Sequence, residues 1–211
     1  MPKILAHRGM WSAIVGQNTK ESINHAQYLS MGVELDLRLK DDIIYLSHDE
    51  VDIQTSDTLE SVLPILFIES FYPPIAFHLK DNIKLMLPIL QNLLVPYLDK
   101  YKNFFFFGFL SITELNMYLN VFGADAVAYE LELGRKGSLR EGAKCAAKKI
   151  WLVSFTNKYP LRIFRILANK EIYATTPELV GNPDEELSSL YFKYMKGICT
   201  DYVNLYANKI A

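Results

Sequence analysis

The chain has 211 residues, of which 50% are hydrophobic and 22% are charged, and its formal net charge is −2. A chain of this length and composition can bury a large core, and its near-neutral charge gives no general attraction to nucleic acid or to an anionic membrane. We therefore expect one globular domain, residues 1–211, with neither of those partners.

Apolar runs of strand length alternate with helical stretches along the chain. This alternation is typical of βαβ units, whose parallel sheet is buried on both faces. Strands are predicted at residues 3–7, 32–37, 75–79, 103–109, 126–131, 149–155, 171–175 and 197–200, with a short extra strand at 43–47. Helices are predicted at residues 19–31, 57–70, 83–100, 111–122, 139–148, 159–169 and 184–196. The pattern predicts an α/β fold, a compact single-domain (β/α)8 TIM barrel.

Polar and charged residues collect where the predicted strands end. In chain order they are His7, Glu34, Asp36, His48, His78, Lys80, Glu130, Glu132, Glu178 and Asp201. The active site of a TIM barrel lies at the C-terminal ends of its strands. The sequence therefore predicts a functional site at that end of the barrel.

Two carboxylates of the second strand are candidates for holding a metal ion. Glu34 and Asp36 are two residues apart, so in a strand they point to the same side of the sheet. Carboxylate oxygens suit Mg²⁺ or Ca²⁺, and the sequence does not choose between the two ions. The alternative is a pair of surface acids on an edge strand, which the apolar neighbours Val33, Leu35 and Leu37 disfavour.

Two histidines are candidates for acid–base catalysis. Each of His7 and His48, taken alone, could be a structural histidine of an apolar strand. Next to a carboxylate pair at the same end of the sheet, they instead suit proton transfer to and from oxygen near neutral pH. Arg8 offers a fork of donors to phosphate oxygens, with a structural salt bridge as its alternative.

These residues form a pattern that resembles a known family. The strings are His7-Arg8-Gly9, the stretch from Asn18 to Ala26, Gly32 to Asp36, Ser47-His48-Asp49, and a Gly-x-x-Thr-Asp pattern at Gly197 to Asp201. Together they resemble the glycerophosphodiester phosphodiesterases, which share a TIM barrel and a superfamily with the phosphatidylinositol-specific phospholipases C.

The resemblance implies a reaction and a set of roles. The reaction is hydrolysis of a glycerol-linked phosphodiester with a divalent cation, in the context of lipid metabolism. His7 and His48 would be the acid–base pair, Glu34 and Asp36 would bind the metal, and Arg8 and Lys80 would contact the phosphate. The substrate's neighbouring hydroxyl can attack phosphorus first, giving a cyclic phosphate that water then opens.

The sequence departs from the family pattern at three places. Gln17 stands where the family has a glutamate, and His78 stands where it has a third metal-binding carboxylate. Imidazole favours softer ions such as Mn²⁺ or Zn²⁺ over Mg²⁺ and Ca²⁺. Either His78 binds the metal, or Glu130, Glu132 or Glu178 completes the site, or the metal is weakly held. Residues 150–157 resemble the family's Trp-Thr-x-Asn strand only loosely.

The sequence leaves three functions open. The first is a metal-dependent phosphodiesterase acting on a small-molecule phosphodiester. The second is a degenerate, catalytically weak barrel that binds a phosphorylated ligand, for example one related to surface polysaccharides. The third is a lyase that stops at the cyclic phosphate. The alcohol part of the substrate and the oligomeric state are not encoded in a recognisable pattern.

The sequence also bears on membrane insertion and on cellular location. The longest apolar runs, residues 85–98 and 104–110, are interrupted by polar residues and proline or are too short to span a bilayer. Residues 1–3 run straight into a predicted strand without a secretory signal, so we expect a soluble, cytoplasmic protein without stable membrane insertion.

Cys145 and Cys199 lack a CxxC or histidine neighbour, which predicts two buried thiols rather than a disulfide or a zinc site.

Overall fold

A computed structural model describes residues 1–68, 73–98, 100–134, 138–154 and 159–210. Within these ranges the chain forms nine strands. They are β1 (Lys3–His7), β2 (Gly32–Lys40), β3 (Ile43–Leu46), β4 (Ile75–Leu79), β5 (Phe104–Phe107), β6 (Ala128–Glu132), β7 (Lys149–Val153), β8 (Glu171–Thr175) and β9 (Gly197–Thr200). The strand predicted at 149–155 ends two residues earlier, and its last predicted position lies outside the described residues.

Eight of the strands form a nearly closed parallel barrel. Their order is β5-β4-β2-β1-β9-β8-β7-β6, and β3 pairs antiparallel with β2 outside this path. The two ends of the sheet meet at a single parallel bridge between Phe106 and Val127. The predicted single-domain (β/α)8 barrel is therefore confirmed. Parallel strands place all their C-terminal ends at one rim, which is where the predicted site residues lie.

Seven α-helices lie among the described residues. They are α1 (Lys20–Tyr28), α2 (Leu59–Leu66), α3 (Ile83–Leu94), α4 (Ile112–Phe122), α5 (Leu139–Lys144), α6 (Leu161–Ile166) and α7 (Val203–Ile210). The first six match predicted helices and are all shorter than predicted, and the predicted helical positions 69, 70 and 99 lie outside the described residues. Within the described ranges, no helix is long and apolar enough to cross a membrane.

The last predicted helix is wrong. Residues 184–196 contain only a 3-10 helix, Ser189–Tyr194, and a second 3-10 helix spans Pro177–Val180. The reason is tertiary: the Leu187 N–H donates to the Tyr206 hydroxyl, so it is not free for a helical bond. Tyr206 belongs to α7, which the sequence pattern did not indicate.

The core has an inner and an outer layer. Alternate strand residues such as Phe105 and Phe107 point into the barrel, where Phe105 lies 4.7 Å from the Tyr173 ring and Phe107 lies 4.1 Å from the Trp151 ring, between ring centroids. Phe106 belongs to the outer layer between the sheet and its helices. Both cysteines are free thiols; Cys199 is buried as predicted, whereas Cys145 is only half-buried.

Helix α2 gives a first test of how the local sequence stabilises the fold. The Thr58 hydroxyl caps its N-terminus by accepting a hydrogen bond from the Ser61 N–H at 3.2 Å. Replacing such a cap by alanine costs about 1 kcal/mol of folding free energy. We expect Thr58→Ala to lose about 1 kcal/mol in urea denaturation, whereas Thr58→Ser, which keeps the oxygen, should stay close to the wild type. Equal losses in both variants would contradict this role.

Candidate active site

The predicted site residues converge on one cavity at the C-terminal rim of the barrel. Its volume is about 180 Å³. Its walls include the seven candidate catalytic, phosphate-binding and metal-binding residues, namely His7, Arg8, Glu34, Asp36, His48, His78 and Lys80. The rest of the lining comes from later strands, with Phe107, Glu130, Glu132 and Trp151 among its residues. The structure thus brings together groups that are up to 73 positions apart in the first half of the sequence.

A tight turn after β1 positions Arg8. Arg8 has a positive φ of 57° and Gly9 one of 77°. A Cβ on Gly9 would lie 2.3 Å from the Ser22 hydroxyl oxygen, so only glycine fits there. The Arg8 carbonyl accepts hydrogen bonds from the Asn18 N–H at 2.8 Å and from the Ser22 hydroxyl at 3.2 Å. The turn is therefore anchored to the start of α1, which explains why these short motifs occur together.

Asp36 is the most heavily contacted carboxylate of the site. The Asn18 side chain clamps it, donating to Oδ2 at 3.1 Å and accepting from the Asp36 N–H at 3.0 Å. Arg8 Nε lies 3.1 Å from Oδ2, and Lys80 Nζ lies 3.2 Å from Oδ1. Burial would raise the pKa of Asp36, but the hydrogen bond from His78 and the charges of Lys80 and His78 outweigh it and hold that pKa far below its usual value. Asp36 is therefore ionised and neutralised by the protein itself.

His78 joins the acids to the aromatic wall of the barrel. Its Nδ1 lies 3.3 Å from Asp36 Oδ1 and 3.6 Å from Glu34 Oε1, and its ring stacks on Phe107 at 4.4 Å between centroids. Burial would lower the pKa of His78, but its hydrogen bonds to Asp36 and Glu34 outweigh burial and raise that pKa above its ordinary value. Nδ1 of the imidazole is thus directed at both carboxylates.

Glu34 differs from Asp36 because the protein leaves it undercompensated. Only 2% of its side chain is exposed. It accepts a hydrogen bond from the Arg8 N–H at 3.3 Å, and its other polar contacts are longer, with His78 Nδ1 at 3.6 Å and His7 Nε2 at 3.9 Å. A buried carboxylate whose partners all lie at such distances is costly. Such a group fits a site that is completed by a cation.

One group of potential ligands can be identified in the described ranges. Glu34, Asp36 and His78 can each offer one ligand atom, and these atoms all lie within 4.8 Å of one another. Two carboxylate oxygens and one imidazole nitrogen suit a divalent ion such as Mn²⁺. Together with the burial of Glu34, this donor set fits a bound divalent cation.

His7 is held by a partner from the far end of the chain. Its Nδ1 lies 2.9 Å from Asp201 Oδ1, which also accepts a hydrogen bond from Trp11 Nε1 at 3.1 Å. Because a carboxylate oxygen accepts, Nδ1 is the donor in this contact, and in the neutral ring Nε2, 3.9 Å from Glu34 Oε2, is the acceptor nitrogen. The sequence indicated that Asp201 lies at the rim but not that it orients His7.

His48 reaches the same cavity from the loop after β3. Its Nδ1 lies 2.8 Å from Asp49 Oδ1, and its ring is more exposed than that of His7. The two departures from the family motif also have partners here: Gln17 Oε1 accepts a hydrogen bond from Arg8 Nη1 at 2.8 Å, and His78 joins the two acids. Gln17 thus holds the Arg8 side chain without adding a charge.

Comparisons with known proteins identify structures with the same fold. The sequence matches no protein-family model and no curated protein sequence. Its structure matches a glycerophosphodiester phosphodiesterase from Agrobacterium tumefaciens with a TM-score of 0.67 and 17% identity, over 99% of this chain and 100% of that chain. A putative glycerophosphodiester phosphodiesterase from Galdieria sulphuraria matches with a TM-score of 0.69 and 15% identity, over 99% and 98% of the two chains.

A third match is a phosphodiesterase from Oleispira antarctica, crystallised in complex with the product sn-glycerol-3-phosphate. Its TM-score is 0.73 and its identity is 15%, over 99% of this chain and 96% of that chain. These three likenesses confirm the barrel that the motif resemblance implied. At such identities they show the fold, and the chemistry has to be argued from the site.

Proposed function

We propose that this protein is a metal-dependent phosphodiesterase that hydrolyses a glycerophosphodiester, or a related small-molecule phosphodiester, to an alcohol and a phosphomonoester. The observation that supports this most is the convergence of two histidines, two carboxylates, an arginine and a lysine on one cavity of a barrel. Solved phosphodiesterases share that barrel, and one of them holds sn-glycerol-3-phosphate. The proposal places the protein in the cytoplasm and in lipid metabolism, acting without nucleic acid or membrane insertion.

In this proposal Glu34, Asp36 and His78 hold the cation. When bound, a divalent ion supplies Lewis-acid stabilisation of negative charge on the phosphoryl oxygens. Arg8 and Lys80 line the same cavity and bind the phosphate, with Asp36 keeping both side chains in place at 3.1 and 3.2 Å. The imidazole ligand favours Mn²⁺ over Mg²⁺ and Ca²⁺.

The two histidines carry the proton transfers. His7 Nε2 is the free acceptor, so His7 takes the proton from the attacking hydroxyl, which belongs either to water or to the substrate's neighbouring alcohol. Asp201 keeps the proton on Nδ1 and fixes the ring during this step. His48 donates a proton to the leaving alkoxide oxygen. Its partly exposed ring can recover that proton from solvent.

An activity assay tests the proposal directly. The purified chain is stripped with chelator and assayed with glycerophosphocholine, with and without added Mn²⁺, Mg²⁺ or Ca²⁺, and the products are identified by phosphorus NMR. We expect glycerol phosphate to form, fastest with Mn²⁺, and no turnover in chelator. A cyclic phosphate as the sole product would instead indicate the lyase. Binding of glycerol phosphate without turnover under any of these conditions would favour the degenerate, ligand-binding barrel.

A further inference from the structure

The side chain of His48 does little to hold the loop that carries it. The ring's hydrogen-bond partner is Asp49, whose side chain is 91% exposed, so this contact does little to fix the loop. The His48 backbone is held more firmly. Its carbonyl oxygen accepts two hydrogen bonds from Arg38, from Nε at 3.0 Å and from Nη2 at 2.9 Å.

Arg38 is itself fixed by a second residue. Its Nη1 lies 2.6 Å from Asp81 Oδ1, and the other oxygen, Oδ2, accepts a hydrogen bond from the Leu39 N–H at 2.8 Å. Asp81 therefore binds the guanidinium and the β2 backbone at once. Both side chains are 26% exposed, so three-quarters of each is shielded from water. The planar fork of an arginine can make this set of bonds, and the single ammonium of a lysine cannot.

The pair links three elements of the rim. Arg38 lies in β2, two residues after Asp36, and Asp81 directly follows Lys80 at the end of β4. The loop after β3 supplies His48. Asp36, Lys80 and His48 all line the cavity, so the pair connects the backbones that carry them.

We propose that Arg38 and Asp81 are positioning residues, which act through the His48 backbone to place the His48 ring over the bound phosphodiester. This inference rests on the proposed function. Neither Arg38 nor Asp81 lines the cavity. Their effect should therefore appear in proton transfer by His48 and not in binding of the substrate or the cation.

The kinetic test compares Arg38→Met, Arg38→Lys and Asp81→Asn with the wild type. We expect kcat with glycerophosphocholine and Mn²⁺ to fall about 10- to 100-fold in each, in the range seen when partners that orient a reacting group are lost. KM should change by less than about threefold. Arg38→Lys should fail to restore kcat, because it keeps the charge and loses the fork. Lys148→Met is the control, since it breaks an exposed pair with Asp125 far from the cavity.

A double variant separates positioning from general structural damage. In the His48→Ala background, Arg38→Met should lower kcat no further, because residues that act as one unit are not additive. A further loss of the same size in that background would overturn the proposal. So would unchanged kcat in both Arg38→Met and Asp81→Asn while the wild type is active.

An NMR experiment tests the positioning role separately from the proposed function. With ¹⁵N-histidine labelling, the His48 ring signals, assigned from their absence in His48→Ala, should shift or broaden in Arg38→Met and Asp81→Asn, while the His7 signals stay in place. This readout needs no turnover. Unchanged His48 signals would refute the positioning role, whereas changed signals in a wild-type protein without activity would refute only the proposed reaction.

Discussion

Removing either candidate acid–base histidine is expected to reduce kcat by about 10²–10⁴-fold, the usual contribution of a positioned proton donor or acceptor. His7→Ala removes the Nε2 acceptor that Asp201 orients, and His48→Ala removes the second candidate histidine that lines the cavity. KM should change much less, because Arg8 and Lys80 remain to bind the phosphate. The measurement is steady-state kinetics with glycerophosphocholine and saturating Mn²⁺.

The control for this prediction is His25→Ala, which removes an exposed histidine of α1 and should leave kcat unchanged. The double variant His7→Ala/His48→Ala should be only slightly slower than the worse single variant, since the two groups serve one reaction. Retention of more than about a tenth of wild-type kcat by either single variant would contradict the assigned roles.

Local sequence patterns predicted most of the barrel and the candidate site residues in the first half of the chain. Apolar strand runs separated by helical stretches fix the order of a βαβ fold, because each unit is specified by neighbouring residues. The site residues of the first half were found for a similar reason. Glu34 and Asp36 share one face of a strand through the two-residue period, and His7 and His78 end the strands on either side of it.

The contacts that local patterns could not predict join residues distant in sequence. Asp201 reaches His7 across 194 positions because β9 pairs with β1. Arg38 and Asp81 are 43 positions apart, and no spacing rule links them. The helix predicted at 184–196 failed for a related reason, since its backbone is bound by Tyr206 of the last helix. In each case the partner is set by tertiary packing and not by the neighbouring sequence.

The two carboxylates of β2 look equivalent in sequence but differ in how their charge is balanced. Asp36 has Lys80, Arg8 and the Asn18 amide around it. Glu34 has a long hydrogen bond from the Arg8 backbone and two imidazole nitrogens at 3.6 and 3.9 Å. The protein therefore compensates Asp36 closely, whereas Glu34 keeps only long polar contacts that the proposed cation would supplement. This difference predicts opposite effects on stability when each acid is neutralised.

In chelator, Glu34→Gln should raise the free energy of unfolding by about 1 kcal/mol, because it replaces a buried carboxylate that has only long polar contacts by an amide of the same shape. Asp36→Asn should lower it by about 3 kcal/mol, because the charges of Lys80 and Arg8 lose their partner. Both variants should lose at least about 10²-fold in kcat, since each replaces an anionic ligand of the proposed cation by a neutral amide. Urea denaturation of the chelator-treated variants measures these changes in the free energy of unfolding.

Adding Mn²⁺ then reverses the order of stability. A ligand that binds only the folded state stabilises it in proportion to the logarithm of its concentration over Kd. The wild type should therefore gain stability as Mn²⁺ is raised, and Glu34→Gln should gain little. Glu34→Gln would then be more stable than the wild type in chelator and less stable than the wild type in excess Mn²⁺. If Glu34→Gln were destabilised in chelator as strongly as Asp36→Asn, then Glu34 would be balanced by the protein, and the argument for a cation at this position would fail.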